Sequence, residues 1–189
     1  MKKLTLATLL ALASLTGVAQ AETLTLDPAH SVARFSVDHF GTSTNHGAFH
    51  NLNGQVNYDP VKKTGFVGIT IPIMNLETGI DAFNKHLKSA DFFNTDVYPT
   101  AYFKSTQWHF KGDKPVKIDG ELTLLGKTHP ITLTATKFNC YDNPIHNAKT
   151  CGGDFETVID RTKWGMTQFA DLPSMRNVKL KIQAEAYAK

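Results

Sequence analysis

Most of the chain alternates apolar and polar residues with a period of two. The clearest case is near the C-terminal end, where Val178, Leu180, Ile182, Ala184 and Ala186 fall on one face and lysine, glutamine and glutamate fall on the other. This alternation is typical of a β-strand with one dry and one solvated side. Similar segments recur from about residue 23 onward. We therefore predict a sheet of such strands with one buried face.

The number and spacing of these segments favour a closed sheet. We count eight or nine strands at roughly even spacing, joined by turns, and we interpret the polar stretch at residues 41–47 as one of those turns. This arrangement predicts an all-β fold, an extended antiparallel barrel of about eight strands, rather than a parallel sheet. At that size the interior is either filled by side chains or holds one small ligand. The pattern alone leaves both alternatives open.

One segment has helical rather than strand periodicity. Ile80, Phe83, Leu87 and Ala90 recur at three- and four-residue spacing. Thr78 lies where a capping hydroxyl would be expected. We predict one helix of about ten to thirteen residues, lying at or across an end of the barrel.

The first 21 residues have the pattern of an export signal. Two lysines precede an apolar run over residues 4–18, and the small-residue sequence Ala-Gln-Ala ends at residue 21. We predict that residues 1–21 are a cleaved signal peptide and that residues 22–189 form a single domain in the periplasm. No later apolar run reaches 18 residues, so we predict no integral membrane segment.

The charge balance argues against polyanionic partners. The full chain has 20 basic and 17 acidic residues and a formal net charge of +3. Without Lys2 and Lys3, 18 basic residues remain against 17 acidic ones, a net charge of +1. No run of Lys or Arg exceeds two residues. The basic patch expected of a nucleic-acid-binding protein is missing, so we predict no nucleic-acid partner.

Two cysteines, Cys140 and Cys151, flank a polar, turn-rich stretch. An even number of cysteines in an exported protein predicts a disulfide. The bond would close a long hairpin and stabilise the fold by roughly 2–3 kcal/mol. The alternative is a metal site that adds His146 to the two thiols. Because paired CxxC spacing is missing and the predicted compartment is oxidising, we favour the disulfide and predict no metal and no cofactor.

Sequence motifs of catalysis are also missing. The chain has no nucleophile elbow, no HExxH motif and no phosphate-binding glycine loop, so we predict that the protein is not an enzyme. Among the polar residues, His39 shares the inner face with Phe35 and Val37 and is a candidate for hydrogen-bonding a ligand head group near one end of the barrel. The alternative is a core histidine paired with backbone. His86 lies on the predicted helix, close to Asp91.

Several motifs, taken in order, resemble the YceI-like family from about Asp27 to Glu185. The match rests on a series of blocks, which are His30-Ser31-x-Ala33-x-Phe35-x-Val37-x-His39-Phe40-Gly41, Gly47-x-Phe49, Lys85–Phe93, Tyr98-Pro99, Phe103–Thr106, Gly120–Pro130 and Ile159–Met166. The resemblance implies a lipocalin-like barrel that binds a polyisoprenoid chain, with isoprenoid quinones such as ubiquinone among the ligands. It also implies an exported and often dimeric protein, so a homodimer is expected.

The resemblance favours the open interior over the filled one. Burying a polyprenyl tail contributes about 0.8 kcal/mol per CH₂-sized group, so affinity needs little polar recognition. The function predicted is to hold a polyisoprenoid lipid or quinone for transport or storage. The alternatives are an enzyme acting on such a lipid, with His39, His86 or Asp91 involved, and a packed barrel that serves as a protein-interaction module. The predicted ligand-binding residues are Phe35, Val37, His39, Ile69, Ile71, Phe83, His86, Leu87, Phe92, Phe93, Phe103, Leu122, Leu124, Ile131, Leu133, Phe155, Trp164 and Met166.

Overall fold

The computed structural model describes residues 22–188, and the predicted signal peptide at residues 1–21 lies outside them. The strands are β1 (Glu22–Leu26), β2 (Val32–His39), β3 (Ser43–Phe49), β4 (Asn53–Asp59), β5 (Thr64–Pro72), β6 (Leu76–Glu77), β7 (Thr100–Lys111), β8 (Lys114–Leu124), β9 (Lys127–Asn143), β10 (Ala148–Asp160) and β11 (Asn177–Ala188). The helices are α1 (Asp81–Lys88) and α2 (Pro173–Arg176), with short 3-10 helices at Ile73–Asn75 and Arg161–Trp164.

The sheet closes on itself. Antiparallel neighbours follow the order β1-β4-β5-β7-β8-β9-β10-β11-β2-β3, and β1 pairs again with β11. Strands β1 and β2 lie one after the other along β11, at 186–188 and 178–183 respectively. In the same way, β3 pairs with β2 and β4 pairs with β1, so β3 and β4 together occupy one strand position of the barrel. These segments therefore make a closed eight-stranded antiparallel barrel, which confirms the predicted fold class.

The two ends of the barrel differ. The turns joining β2 to β3 and β8 to β9 lie at one end, together with α1 and the 161–176 connection, and we call this the upper end. The lower end carries the turns between β4 and β5, β7 and β8, and β9 and β10. There four aromatic side chains pack with ring centroids 5.3–6.4 Å apart. We call this group the aromatic floor; it consists of Tyr58, Trp108, Phe110 and Phe138.

Two local predictions were wrong. Most of the stretch 41–47 is not a turn, because β3 pairs with β2 from Ser43 to Phe49. Its side chains are largely polar because several of them are exposed, and that polarity hid the strand. Helix α1 is only eight residues long, and the side chain of Thr78 does not cap it. Instead the side-chain oxygen of Asn84 accepts a hydrogen bond from the Thr78 backbone N–H at 2.8 Å.

Helix α2 was not predicted. It has four residues and begins with Pro173 at its first turn. Four residues are too few to show a helical period, so only the proline pointed to a helix start there.

The predicted disulfide is confirmed. Cys140 and Cys151 are directly paired residues of β9 and β10, and their sulfur atoms are 2.07 Å apart. His146, the third ligand of the alternative metal site, lies in the connected hairpin and contacts a carboxylate instead. Its Nε2 is 3.3 Å from Oδ2 of Asp27. Among residues 22–188, no cluster of three or more His, Cys, Asp or Glu side chains is arranged to hold a metal.

The Asp27 carboxylate ties the β1–β2 turn to the disulfide hairpin. Its side chain is 6 % exposed, and Oδ2 also contacts His30 Nδ1 at 2.8 Å. Burial alone would raise the pKa of Asp27, but hydrogen bonds from His30, the Ala29 N–H and His146 outweigh it, so the pKa lies below its ordinary value. In return, the hydrogen bond and charge of Asp27 raise the pKa of His30.

The Asp27–His30 pair makes the free energy of unfolding depend on pH, both where His30 titrates and where Asp27 titrates. A raised pKa means that the His30 contribution is fully present below its ordinary value of 6.5 and is lost as pH rises through the folded-state pKa. A lowered pKa means that the Asp27 contribution is present above 3.8 and is lost as pH falls through the folded-state pKa.

Asp27→Asn is expected to bring the pKa of His30 back toward 6.5, because it removes the charge that stabilises the imidazolium. NMR titration of the His30 ring measures this directly. Asp119→Asn is the matched control, since Asp119 bonds His109 and not His30. Equal His30 pKa values in the wild type and Asp27→Asn would show that the carboxylate does not hold the histidine.

Candidate functional site

The upper part of the barrel encloses a cavity of about 370 Å³, which we call the main cavity. Strands β2, β3, β5, β7, β8, β9, β10 and β11 supply its wall, and α1 with the 161–176 connection supplies its upper border. His39, Phe40 and Phe169 line the cavity and are also exposed. The main cavity therefore reaches the surface at the upper end of the barrel, and we call this opening the mouth.

Sixteen of the eighteen predicted ligand-binding residues line the main cavity. The two-residue period identified the wall residues in the sequence, because side chains on the inner face of each strand point into the barrel. Helical spacing placed Phe83 and Leu87, which project from α1 over the upper part of the cavity. The sixteen are Phe35, Val37, His39, Ile69, Ile71, Phe83, His86, Leu87, Phe92, Phe93, Phe103, Leu122, Leu124, Ile131, Leu133 and Met166.

Trp164 does not line the main cavity. Hydrogen-bonded pairing of β9 with β10 stops at Thr134 and Glu156, so the upper parts of these strands are unpaired with each other. Trp164 is only 1 % exposed, borders the groove beside these unpaired parts, and donates from Nε1 to the Leu122 carbonyl at 3.0 Å. Its role is to close the barrel wall.

Phe155 points into the barrel at a lower level, where a second cavity of about 60 Å³ lies. We call this the lower cavity. Phe155, Trp108, Cys151, Ala184 and Ala186 are among its lining residues. The two cavities share four lining residues, which we call the partition: Ile69, Phe103, Leu133 and Ile182.

Two glycines make room for aromatic rings inside the barrel. Phe35 lies directly across from Gly47, and a Cβ atom at Gly47 would overlap the Phe35 ring. In the same way, a Cβ atom at Gly120 would overlap the ring of Phe103 on the neighbouring strand. These glycines are needed for close approach and not for a special backbone angle.

Polar groups on the cavity wall are concentrated at the mouth. Among the described residues, His39, Asn45, His86 and Arg161 are the lining residues with polar side chains. His39 packs edge-on against Phe40, with ring centroids 4.8 Å apart. The rest of the wall is apolar, so the cavity has a dry interior and a polar opening.

His86, which lies close to Asp91 in the sequence, contacts an aromatic ring. The His86 ring packs against Phe92 with centroids 5.0 Å apart. The backbone N–H of Asp91 donates to Ser89 Oγ at 3.4 Å, so the side chain in this local turn contact is that of Ser89.

Arg161 was not predicted as part of the site, although its motif was recognised. It is 5 % exposed, and its guanidinium donates to the backbone carbonyls of Met175 and Met166 at 2.8 and 2.9 Å and to that of Gln168. Burial lowers the pKa of Arg161, and the charge of Asp160 opposes that effect. By binding three carbonyls, Arg161 fixes the connection that forms one side of the mouth. Its spacing in the sequence contains no signal of these long-range contacts.

Phe40 and Phe169 were also missed. Both have left-handed backbone angles, with φ of 57° and 58°, and their side chains are 55 % and 46 % exposed. Neither lies within a strand or helix, so no periodicity identifies them. In contrast, Val178, Leu180 and Ile182 belong to the alternating pattern and also line the main cavity.

Comparison with protein families identifies one match over most of the chain. A family model described as the YceI-like domain matches residues 24–186. Protein YceI of Shigella flexneri is 35 % identical over 158 residues, which cover 82 % of this chain and 81 % of that protein. UPF0312 proteins of Vibrio cholerae are 34 % identical over 117 residues, and the match spans 62 % of their length and 61 % of this chain.

Solved structures share the barrel. Burkholderia cenocepacia BcnA superposes with a TM-score of 0.68 and 26 % identity, covering 85 % of this chain and 99 % of BcnA. A structure described as a polyisoprenoid binding domain from Saccharophagus degradans has a TM-score of 0.63 and 15 % identity, covering 90 % of this chain and all of that one. At that identity, the second likeness shows the fold alone. No helix within residues 22–188 is long and apolar enough to cross a membrane.

Leu124→Arg is expected to lower the free energy of unfolding by about 3 kcal/mol or more, because it puts a charge into an apolar wall with no partner. Leu124 is 6 % exposed and lines the main cavity. Glu121→Arg is the matched control on the same strand, since Glu121 is exposed on the outer face, and it is expected to change stability by less than about 1 kcal/mol. Chemical denaturation measures both. Similar losses in the two variants would overturn the assigned faces.

Proposed function

The chain belongs to the YceI-like family, and from that premise we propose that it binds one polyisoprenoid chain in the main cavity. The observation that carries this proposal is the combination of a dry interior with a polar mouth at one end of a closed barrel. The Saccharophagus degradans domain with the same barrel is described as polyisoprenoid binding, which supports the choice of ligand class.

The volume of the cavity suits an extended polyisoprenoid chain. A water-sized group needs about 10–15 Å³ of such a cavity. A volume of about 370 Å³ is many times what one such group needs, which suits an extended apolar chain rather than a single small molecule. Burying each CH₂-sized group contributes about 0.8 kcal/mol before the costs of ordering the chain. An apolar wall is sufficient for affinity.

The distribution of polar residues orients the ligand. A prenyl quinone has a long apolar tail and a ring with carbonyl oxygens that accept hydrogen bonds. His39, Asn45 and His86 supply donors near the mouth, and the deeper wall is apolar. We therefore place the quinone ring at the mouth and the tail inside the barrel. Ubiquinone is the specific ligand that we propose.

Binding rather than catalysis is the proposed activity. The histidines of the enzyme alternative contact aromatic rings, His39 packing on Phe40 and His86 on Phe92. His39 and His86 are then positioned to contact a head group, and no substrate bond has to be broken for transport or storage. We propose transport or storage of the lipid as the role of the protein.

The periplasm is the proposed location. The Cys140–Cys151 disulfide suits an oxidising compartment, and the export signal predicted for residues 1–21 is consistent with it. A homodimer, which the family resemblance implies, stays a prediction.

Organic extraction of the purified protein followed by mass spectrometry tests the proposed function. The expected result is a polyprenyl lipid, and the stripped protein is expected to rebind added ubiquinone. Glu121→Arg, on the outer face, is expected to retain the lipid, and Leu124→Arg is expected to lose it. Recovered lipid that is chemically unchanged after long incubation separates binding from catalysis. Failure to extract any lipid and failure to rebind ubiquinone would together contradict the proposal.

A further inference from the structure

The apolar space inside the barrel comprises two adjoining cavities. The main and lower cavities are both apolar and lie one below the other along the barrel. Ile69, Phe103 and Leu133 border both of them, as does Ile182. Phe103 is 5 % exposed and is paired directly with Ile69 on β5 and with Leu122 on β8. Its ring is the largest side chain of the partition.

The position of the Phe103 ring is fixed by its neighbours. The ring lies over Gly120, where a Cβ atom would overlap it. Gly120 is two residues before Leu122, the direct partner of Phe103, along a strand that runs from the lower to the upper end. The ring therefore leans toward the lower cavity and stands between the two spaces.

The aromatic floor borders the lower cavity from below. Trp108 borders it and stacks with Tyr58 and Phe110 of the aromatic floor, at centroid distances of 6.3 and 6.1 Å. Small side chains, Ala184 and Ala186, leave space on the β11 side. Because the partition lies above the lower cavity, a chain that reaches this cavity from the mouth passes the partition, in which Phe103 is the largest side chain.

We propose that Phe103 sets the length of the apolar chain that the protein accepts, because its ring ends the main cavity and separates it from the lower cavity. This inference rests on the proposed function, and it names the feature of the ligand that the barrel selects. The lower cavity of about 60 Å³ is several times the space that one water-sized group needs. Opening the partition therefore lengthens the chain that the barrel accepts.

Native mass spectrometry of the stripped protein, incubated with an equimolar mixture of all-trans prenyl alcohols of three to ten isoprene units, tests the inference. Phe103→Ala is expected to shift the most abundant bound length upward. Phe35→Ala is the matched control, because Phe35 borders only the main cavity; it is expected to weaken binding of all lengths without that shift. Phe103→Leu, a milder change, is expected to shift the length in the same direction if Phe103→Ala does not fold.

A second substitution tests whether the added length comes from the lower cavity. Ala184 borders the lower cavity and not the main one. Adding Ala184→Leu to Phe103→Ala is expected to fill the new space and return the preferred length to that of the wild type. An unchanged length preference in both Phe103 variants would overturn the inference, and so would a shift that Ala184→Leu does not reverse.

Xenon-pressurised crystals separate this inference from the proposed function. Xenon binds in dry apolar cavities, so the wild type is expected to show density on both sides of Phe103, and Phe103→Ala is expected to show density joining the two sites. Separate sites in Phe103→Ala would overturn the partition, whatever the lipid result. If no variant retains any prenyl alcohol but xenon joins the sites, the proposed function fails while the partition stands.

Discussion

The pairing of β1 with β11 is the constraint on which the rest of the structure depends. It joins the strands that come first and last along the described chain, so the barrel has no free edge there. With eight strands the enclosed space is near the limit that side chains can fill. Gly47 and Gly120 admit the rings of Phe35 and Phe103, and the small Ala184 leaves space in the lower cavity. The cavity therefore results from closure of the barrel together with these small residues. Its apolar wall is the same inner face that holds the barrel together.

The alternating pattern predicted the cavity wall because a residue's position in the local alternation sets the side of the sheet on which its side chain lies. Leu122, Leu124 and Phe103 point inward as their strand periodicity requires. The pattern does not show how far along the barrel axis each inward-facing residue lies. Phe155 faces inward but lies in the lower cavity, and Trp164 closes a stretch where two strands stop pairing. Both outcomes depend on strand register and on distant contacts. The resemblance, and not the periodicity, favoured an open interior over a filled one.

The connections between strands were the least predictable part of the site. Arg161 orders one side of the mouth by binding three backbone carbonyls, and Phe40 and Phe169 reach the opening through left-handed backbone angles. None of these features has a short-range period in the sequence. At the other end, Asp27 joins the β1–β2 turn to the disulfide hairpin through two histidines. The polar residues that line the main cavity thus lie at its mouth, which leaves the deeper part of its wall dry.

The central claim is that the main cavity holds an extended apolar chain whose polar end stays at the mouth. A crystal structure of the protein incubated with ubiquinone tests it most directly. Continuous density is expected to begin beside His39 and His86, to follow the apolar wall downward and to end at Phe103. Density confined to the outer surface of the sheet, or an interior closed by rearranged side chains, would contradict the claim.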